Sequence, residues 1–254
     1  MVIKRIVSVI LIVAASCVLL SSCATHRVTR YPSSEGLIVE DTPYSGSRQG
    51  VYHSVAPGET LWRIAKMYEV DQDAIVGANR IKDVTDINIG TRLYIPQAAP
   101  RKNVITFYPS KKWKYIIIHH SATESGSSEK FNIAHLKKGW KGIGYHFVID
   151  NGTAGKDDGQ IETSPRWTEQ QDGAHCKASS MNEKGIGVCL VGNFSVDKVS
   201  PKQMESLVYL VSMLSKYYNI PKSHIIGHGK VPGASTECPG KKFPWSTFMS
   251  KLGR

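Results

Sequence analysis

The sequence predicts an α/β protein in which a mixed central β-sheet flanked by helices follows a small unit of order βααβ. Two observations lead to this prediction. Residues 51–96 hold two strand patterns around two helical patterns, and from Trp113 onward apolar strand-like runs alternate with amphipathic helical segments. The 254 residues are enough for two such domains and their connections.

Residues 1–22 have the pattern of a signal peptide. A positively charged start precedes apolar residues 6–20, a run shorter than the roughly 20 residues of a membrane-spanning helix. The next residues, Leu-Ser-Ser-Cys, resemble the lipobox of bacterial lipoproteins, which implies lipidation of Cys23; Cys17 is the alternative, but cleavage there would shorten the apolar run. Ala24 rather than Asp follows, which in such lipoproteins favours the outer membrane. We therefore expect a lipid-anchored envelope protein that faces the periplasm.

Residues 23–50 are predicted to be the lipidated cysteine and a flexible tether, because they are rich in Ser, Thr, Pro and Gly and show no periodicity. The formal net charge of the whole chain is +11, which suits an anionic polymer or an anionic membrane surface. The sequence has no helix-turn-helix, zinc-finger or RNA-binding signature, so nucleic acid is not an expected partner. We expect a monomer.

Residues 51–96 form the βααβ unit. Val51–Val55 alternates as a strand, Thr60 is placed to cap a first helix, a second helix covers about Asp71–Ala78, and Arg92–Ile95 returns as a strand. The opening Gly-Glu-Thr-Leu-Trp and the closing Asn-Ile-Gly-Thr-Arg-Leu-Tyr-Ile-Pro resemble those of a LysM domain.

That resemblance implies binding of glycans that contain N-acetylglucosamine, in a shallow groove between two loops. The residues it assigns to the groove are Gly58, Thr60, Leu61 and Ile87. For Gly58 and Thr60, turn formation and helix capping explain the residue type equally well.

Residues 97–112 carry two prolines and several basic residues and are predicted to be a linker before a domain at 113–254. In that domain we expect strands at 114–118, 144–150 and 185–192. Helices are expected at about 130–138 and 202–217, with a last helix that starts near Pro244.

Two histidines and a cysteine are the candidate metal ligands. His119 ends a buried strand, and His228 and Cys238 lie in the run Gly-His-Gly-Lys-Val-Pro-Gly-Ala-Ser-Thr-Glu-Cys-Pro-Gly at 227–240. Two imidazoles and a thiolate leave a fourth Zn²⁺ position open for water, which is typical of a catalytic zinc site. His120 is the alternative first ligand, since adjacent strand residues point to opposite faces.

Residues 113–252 resemble the zinc N-acetylmuramoyl-L-alanine amidases, a family that includes phage amidases and animal peptidoglycan recognition proteins. The motifs are Trp-Lys-Gly-Ile-Gly-Tyr-His-Phe-Val-Ile-Asp-Asn-Gly-Thr (140–153), Gly-Ala-His-Cys (173–176) and Gly-Ile-Gly-Val-Cys-Leu-Val-Gly-Asn-Phe (185–194). The resemblance implies that His119, His228 and Cys238 bind Zn²⁺.

Four further residues receive roles from the same resemblance. Tyr145 would act beside the metal, and His175 and His120 would contact the substrate. Thr236 stands where phage amidases have a catalytic lysine and catalytic recognition proteins have threonine, so it is expected to donate to an oxyanion without supplying a positive charge.

The implied activity is hydrolysis of the amide bond between N-acetylmuramic acid and L-alanine in peptidoglycan. Two alternatives stay open: a non-catalytic peptidoglycan-binding protein of the same fold, and a peptidase that cuts within the stem peptide. The expected partners are peptidoglycan and, through the N-terminal lipid, a membrane. Cys176 and Cys189 could form a disulfide or remain free thiols in an exported protein.

Overall fold

A computed structural model describes residues 27–30, 37–40 and 46–252. The predicted signal peptide and Cys23 lie outside these residues. Two short strands, β1 (Arg27–Arg30) and β2 (Leu37–Glu40), fall inside the segment predicted as a tether and pair antiparallel with each other. Their Val, Ile and Thr residues favour extended backbone.

The βααβ unit has the predicted element order. Strands β3 (Gln49–Ser54) and β4 (Arg92–Ala98) pair antiparallel, and helices α1 (Leu61–Tyr68) and α2 (Gln72–Asn79) lie between them in sequence. The Thr60 side chain accepts a hydrogen bond from the Arg63 N–H and so caps α1, as the sequence predicts.

The segment that joins the two domains is largely buried. Ala98 and Val104 belong to the apolar core of the βααβ unit, whereas Ile105 and Phe107 belong to the core of the C-terminal domain. Ile105–Phe107 forms β5, which pairs antiparallel with β2. The predicted linker therefore connects the domains through packed residues, and the two cores meet between Val104 and Ile105.

The C-terminal domain contains a mixed five-stranded sheet, which confirms the predicted fold class. The strand order is β10-β6-β9-β7-β8, and only β8 is antiparallel to its neighbour. The bounds are β6 Tyr115–His120, β7 Phe147–Asn151, β8 Asp158–Thr163, β9 Gly185–Leu190 and β10 Ile225–Gly227. The sequence did not predict β8, which has a single aliphatic residue, or β10, which has three residues.

Five helices accompany this sheet: α3 Ser128–Lys137, α4 Pro165–Thr168, α5 Met181–Lys184, α6 Pro201–Tyr218 and α7 Trp245–Lys251. Ser200 and Gln203 form a capping box at the start of α6. Within the part of the chain that the structure describes, no helix combines the length and the apolar character needed to cross a membrane.

The two faces of the sheet have different roles. Ile116 and Ile118 of β6 point into the main core with the apolar residues of α6. Side chains alternate along a strand, so Ile117 and His119 point to the opposite face. Phe131 of α3 packs on that second face with Val148 and Cys189. The candidate site lies on this second face.

Candidate metal centre

Strand pairing brings together two histidines that are far apart in sequence. β10 runs parallel to β6, with Gly227 opposite Ile118. His228, which follows Gly227, therefore lies beside His119, and the two ring centroids are 4.7 Å apart. The short strand β10 thus explains how residues separated by 109 positions share one site.

Cys238 reaches the same place on a tightly held loop. The Gly229 N–H donates to the Cys238 carbonyl at 2.7 Å, and a side-chain carbon at Gly229 would lie only 2.3 Å from the Thr236 carbonyl oxygen. The ligand atoms of His119, His228 and Cys238 all lie within 4.8 Å of one another.

His119 directs its Nδ1 atom toward the cysteine. Nδ1 is 3.7 Å from the Cys238 Sγ atom, and Nε2 is 3.0 Å from the Nδ1 atom of His175. The His175 Nε2 atom is 3.1 Å from the Gly185 carbonyl oxygen, which can only accept, so His175 must donate there and accept from His119 at Nδ1. This arrangement puts the His119 proton on Nε2 and leaves the Nδ1 lone pair for a metal.

Two glycines make room for His175. A side-chain carbon at Gly187 on β9 would lie 2.4 Å from the imidazole, and one at Gly173 would lie 2.3 Å from it. His175 is only 8% exposed, so its main contacts are with the protein interior. The substrate-binding role predicted for His175 stays a prediction, and the structure assigns it a positioning contact that the sequence analysis missed.

The electrostatics of the site favour neutral ligands. Burial, followed by the neighbouring His175 and His228, holds the pKa of His119 well below its usual value, so the ring is neutral near pH 7. Burial raises the pKa of the Cys238 thiol to about 11, although the backbone N–H of His120, 3.3 Å from Sγ, opposes that shift. A bound cation would reverse the balance at the thiol, since metal coordination deprotonates cysteine.

The donor set fits a zinc ion. Two neutral imidazoles and one thiol converge on one point, and three protein ligands leave a coordination position for water or substrate. His119, His228 and Cys238 would therefore be the residues that hold the metal.

Tyr145 forms a wall of the same site. Its ring centroid lies 5.3 Å from that of His119, and the side chain packs against the apolar cluster that contains Phe131 and Cys189. Burial is the main cause that raises the Tyr145 pKa well above its usual value, so the phenol keeps its proton and can act as a donor. Cys189 lies opposite His119 in the register between β6 and β9.

His120 and Thr236 lie next to the ligands and have other contacts. The His120 Nδ1 atom accepts a hydrogen bond from the Phe194 N–H at 3.1 Å, and the ring is not part of the ligand cluster. The Thr236 hydroxyl accepts from the Cys238 N–H at 3.2 Å and so helps to hold the ligand loop. The catalytic role predicted for Thr236 and the substrate contact predicted for His120 stay predictions.

The residues assigned to glycan binding occupy different environments in the βααβ unit. Gly58 has a positive φ of 81°, Thr60 is the cap of α1, and Leu61 is buried in the core. Ile87 is partly buried and lines an open cavity with Asp86 and other residues of the loop before β4. Cys176 and Cys189 are free thiols, as is Cys238.

Two known protein families match this chain. The family described as N-acetylmuramoyl-L-alanine amidase matches residues 109–241, which is 133 of the 254 residues. The chain belongs to the N-acetylmuramoyl-L-alanine amidase family. Residues 53–96 match the LysM domain, so the βααβ unit is a LysM domain and the C-terminal domain is the amidase domain.

Several known proteins are similar to this chain. Peptidoglycan-recognition protein SC2 of Drosophila simulans is 32% identical over 136 residues, which cover 50% of this chain and 67% of the relative. An endolysin of Klebsiella phage KP32 is 27% identical over 122 residues, covering 45% and 74%. The solved structure of the endolysin N-acetylmuramoyl-L-alanine amidase LysCS from Clostridium intestinale URNW aligns with a TM-score of 0.47 and 34% identity, covering 56% of this chain and 84% of that one.

Family membership and the LysM domain together support a function in peptidoglycan binding or hydrolysis.

Proposed function

We propose that this protein is a peptidoglycan hydrolase that cleaves the amide bond between N-acetylmuramic acid and L-alanine with a Zn²⁺ ion held by His119, His228 and Cys238. The observation that carries the proposal is the convergence of these three donors, with the His119 Nδ1 atom left free by the hydrogen bond from Nε2 to His175.

Three other residues of the chain would support the reaction at the metal. A bound Zn²⁺ would polarise the scissile carbonyl and lower the pKa of a bound water. Tyr145, which is protonated and beside His119, would donate a hydrogen bond to the developing oxyanion. His175 would keep His119 in the metal-binding tautomer, and Thr236 would keep the Cys238 loop in place.

We also propose that Cys23 is lipidated and anchors the protein in the cell envelope, in the outer membrane and facing the periplasm. The sequence pattern of residues 1–23 supports this proposal. Cys23→Ala should move the protein from the membrane fraction to the soluble fraction, because a basic segment alone binds membranes weakly and in a salt-sensitive way. A variant that stays with membranes at high salt would contradict it.

Digestion of purified peptidoglycan sacculi tests the activity. The expected products are free stem peptides with L-alanine at the amino terminus and intact glycan strands, identified by mass spectrometry. A chelator should abolish release and added Zn²⁺ should restore it. Fragments cut within the stem peptide would indicate a peptidase, and tight binding without any release would indicate a peptidoglycan-binding protein.

A further inference from the structure

Exposed apolar side chains connect the LysM domain with the metal centre. Of the eight large hydrophobic residues that are exposed in the described part of the chain, four are Ile89, Ile133, Leu136 and Trp140. Ile89 lies on the LysM loop before β4, Ile133 and Leu136 lie on α3 of the amidase domain, and Trp140 follows α3. Exposed apolar residues that form a continuous surface mark a binding site, whereas single scattered ones do not.

The α3 positions form one line. Glu129, Ile133 and Leu136 are spaced by four and three residues, so they lie on the same face of the helix. At its start, the Glu129 carboxylate touches the LysM loop: a side-chain carbon at Gly90 would lie 2.7 Å from the Glu129 Oε1 atom. Ile89 is the neighbour of Gly90, so the apolar line continues from one domain to the other.

The other end of the line is linked to Tyr145, the wall of the metal centre, through His135. The Trp140 ring centroid is 4.5 Å from that of His135, which is 5.8 Å from that of Tyr145. The ten residues of α3 span about 15 Å. One helix length therefore separates the LysM loop from the wall of the candidate active site.

Buried contacts fix the LysM domain relative to α3. The Lys156 ammonium donates to the Ser54 carbonyl of the LysM domain at 3.1 Å and pairs with Glu162 at 3.0 Å. The other Glu162 oxygen accepts from the Ser128 N–H, at the first residue of α3, at 2.7 Å. Arg63 of α1 donates to Thr163 of β8. These links hold the loop and the helix in one arrangement.

The chemistry of this surface suits a glycan strand. Sugar rings present apolar C–H faces that pack on aliphatic and aromatic side chains, and their hydroxyl groups bind amides and carboxylates. The cavity beside the LysM loop offers Asp86 and Asn88, and exposed lysines lie on α3 or just after it at positions 130, 137, 138 and 141. The lysines complement the carboxylates of peptidoglycan stem peptides.

We propose that a single peptidoglycan strand binds along this line, from the LysM loop at residues 86–90, over the Ile133 and Leu136 face of α3, to Trp140, which His135 links to the wall of the metal centre. The inference rests on the proposed function, because the strand is the substrate of the amidase domain. The LysM domain then places the cleaved stem peptide at a set number of sugars from the sugar that it holds.

Peptide-free glycan strands of defined length test the proposal, because they lack the amide bond to the stem peptide that the protein is proposed to cleave. Titration calorimetry with the full chain should show affinity that rises by about tenfold or more from a disaccharide to strands long enough to reach both domains. Ile133→Glu and Leu136→Glu should remove most of that gain. Ala134→Glu places the same charge on a different, exposed face of α3 and should keep it.

Three outcomes decide the matter. The proposed continuous surface is wrong if affinity rises with strand length as much in the two variants as in the unaltered protein. It is also wrong if affinity does not rise with strand length in the unaltered protein. Dimerisation that sedimentation detects in the unaltered protein and that Leu136→Glu abolishes would assign the face to a second copy and overturn it as well. Cleavage of sacculi, measured in parallel, separates the two proposals: length-dependent binding without cleavage contradicts only the amidase function, and cleavage without length-dependent binding contradicts only the glycan surface.

Discussion

Two buried polar clusters in this protein differ in the charge of their side chains: one is neutral and the other contains an ion pair. The metal centre collects His119, His228 and Cys238, which burial keeps neutral when no cation is present. The cluster between the domains collects Lys156 and Glu162, which are 3% and 0% exposed and pair as ions.

This difference in charge indicates that the metal centre is a site for a ligand and that the cluster between the domains is a structural contact. The interdomain cluster contains its own cation, and Lys156 satisfies groups of both domains. The metal centre holds donors without a cation of their own, and His175 orients one of them. A buried group of donors that lacks an internal counter-charge is thus the better candidate for binding an external ion.

The largest effect is expected from Cys238→Ser, which tests whether the metal centre depends on an external cation. Replacing the thiolate with a neutral hydroxyl should remove most of the bound zinc and nearly all amide hydrolysis. Metal content by mass spectrometry and hydrolysis of sacculi are the measurements. Cys176→Ser changes another buried free cysteine and should keep both properties. Retention of zinc and full activity in Cys238→Ser would show that the ligand assignment is wrong.

Lys156→Met tests whether the interdomain cluster depends on its internal cation. The change leaves the Glu162 carboxylate buried without its partner, so the free energy of unfolding should fall by about 3–5 kcal/mol. Lys112→Met is the control, because Lys112 and Asp172 are 30% and 58% exposed, so water screens this pair and it should contribute at most about 1 kcal/mol. Denaturant unfolding measures both variants. Equal small losses would mean that water reaches Lys156.

Tyr145→Phe separates metal binding from catalysis within the metal centre. The variant should keep zinc, because the phenol is not a ligand, and should lower turnover by about 10²–10³, the usual effect of losing one oxyanion donor. Tyr115→Phe, in which the altered ring stacks on His224 away from the site, should leave turnover unchanged. Full activity in Tyr145→Phe would make Tyr145 a packing residue.

A decrease in pH should destabilise the metal-free protein, because its buried histidines are neutral in the folded state. Burial lowers the pKa of His175 to about 3 and holds that of His146 well below its usual value. The unfolded chain takes up these protons below about pH 6.5, so stability is fully present above that pH and falls as the pH decreases toward 3. Each histidine contributes at most about 1.4 kcal/mol per pH unit.

Denaturant unfolding between pH 7.5 and pH 5 measures this slope, and His146→Gln should reduce it. Stability that stays constant over this range would contradict the buried neutral state of both rings.

Much of the fold could be predicted from the sequence, because the apolar periods of β6 and α6 and the cap at Thr60 are local signals. The ligand set could be proposed from a motif, but its assembly depends on β10, whose three residues are too short to show a period. The positioning role of His175 was not predictable either. It depends on Gly187, and a glycine that makes room for a distant ring resembles any turn glycine in sequence.

The burial of the connection between Val104 and Ile105 bears on how such a protein can evolve. This LysM domain meets its neighbour through Arg63 and through the backbone of Gly58, where a side-chain carbon would lie 2.9 Å from the Pro165 nitrogen. A transplanted LysM domain would need a glycine at that position and an arginine in the first turn of its first helix. Recombination at this junction is therefore constrained to donors that already carry both residues.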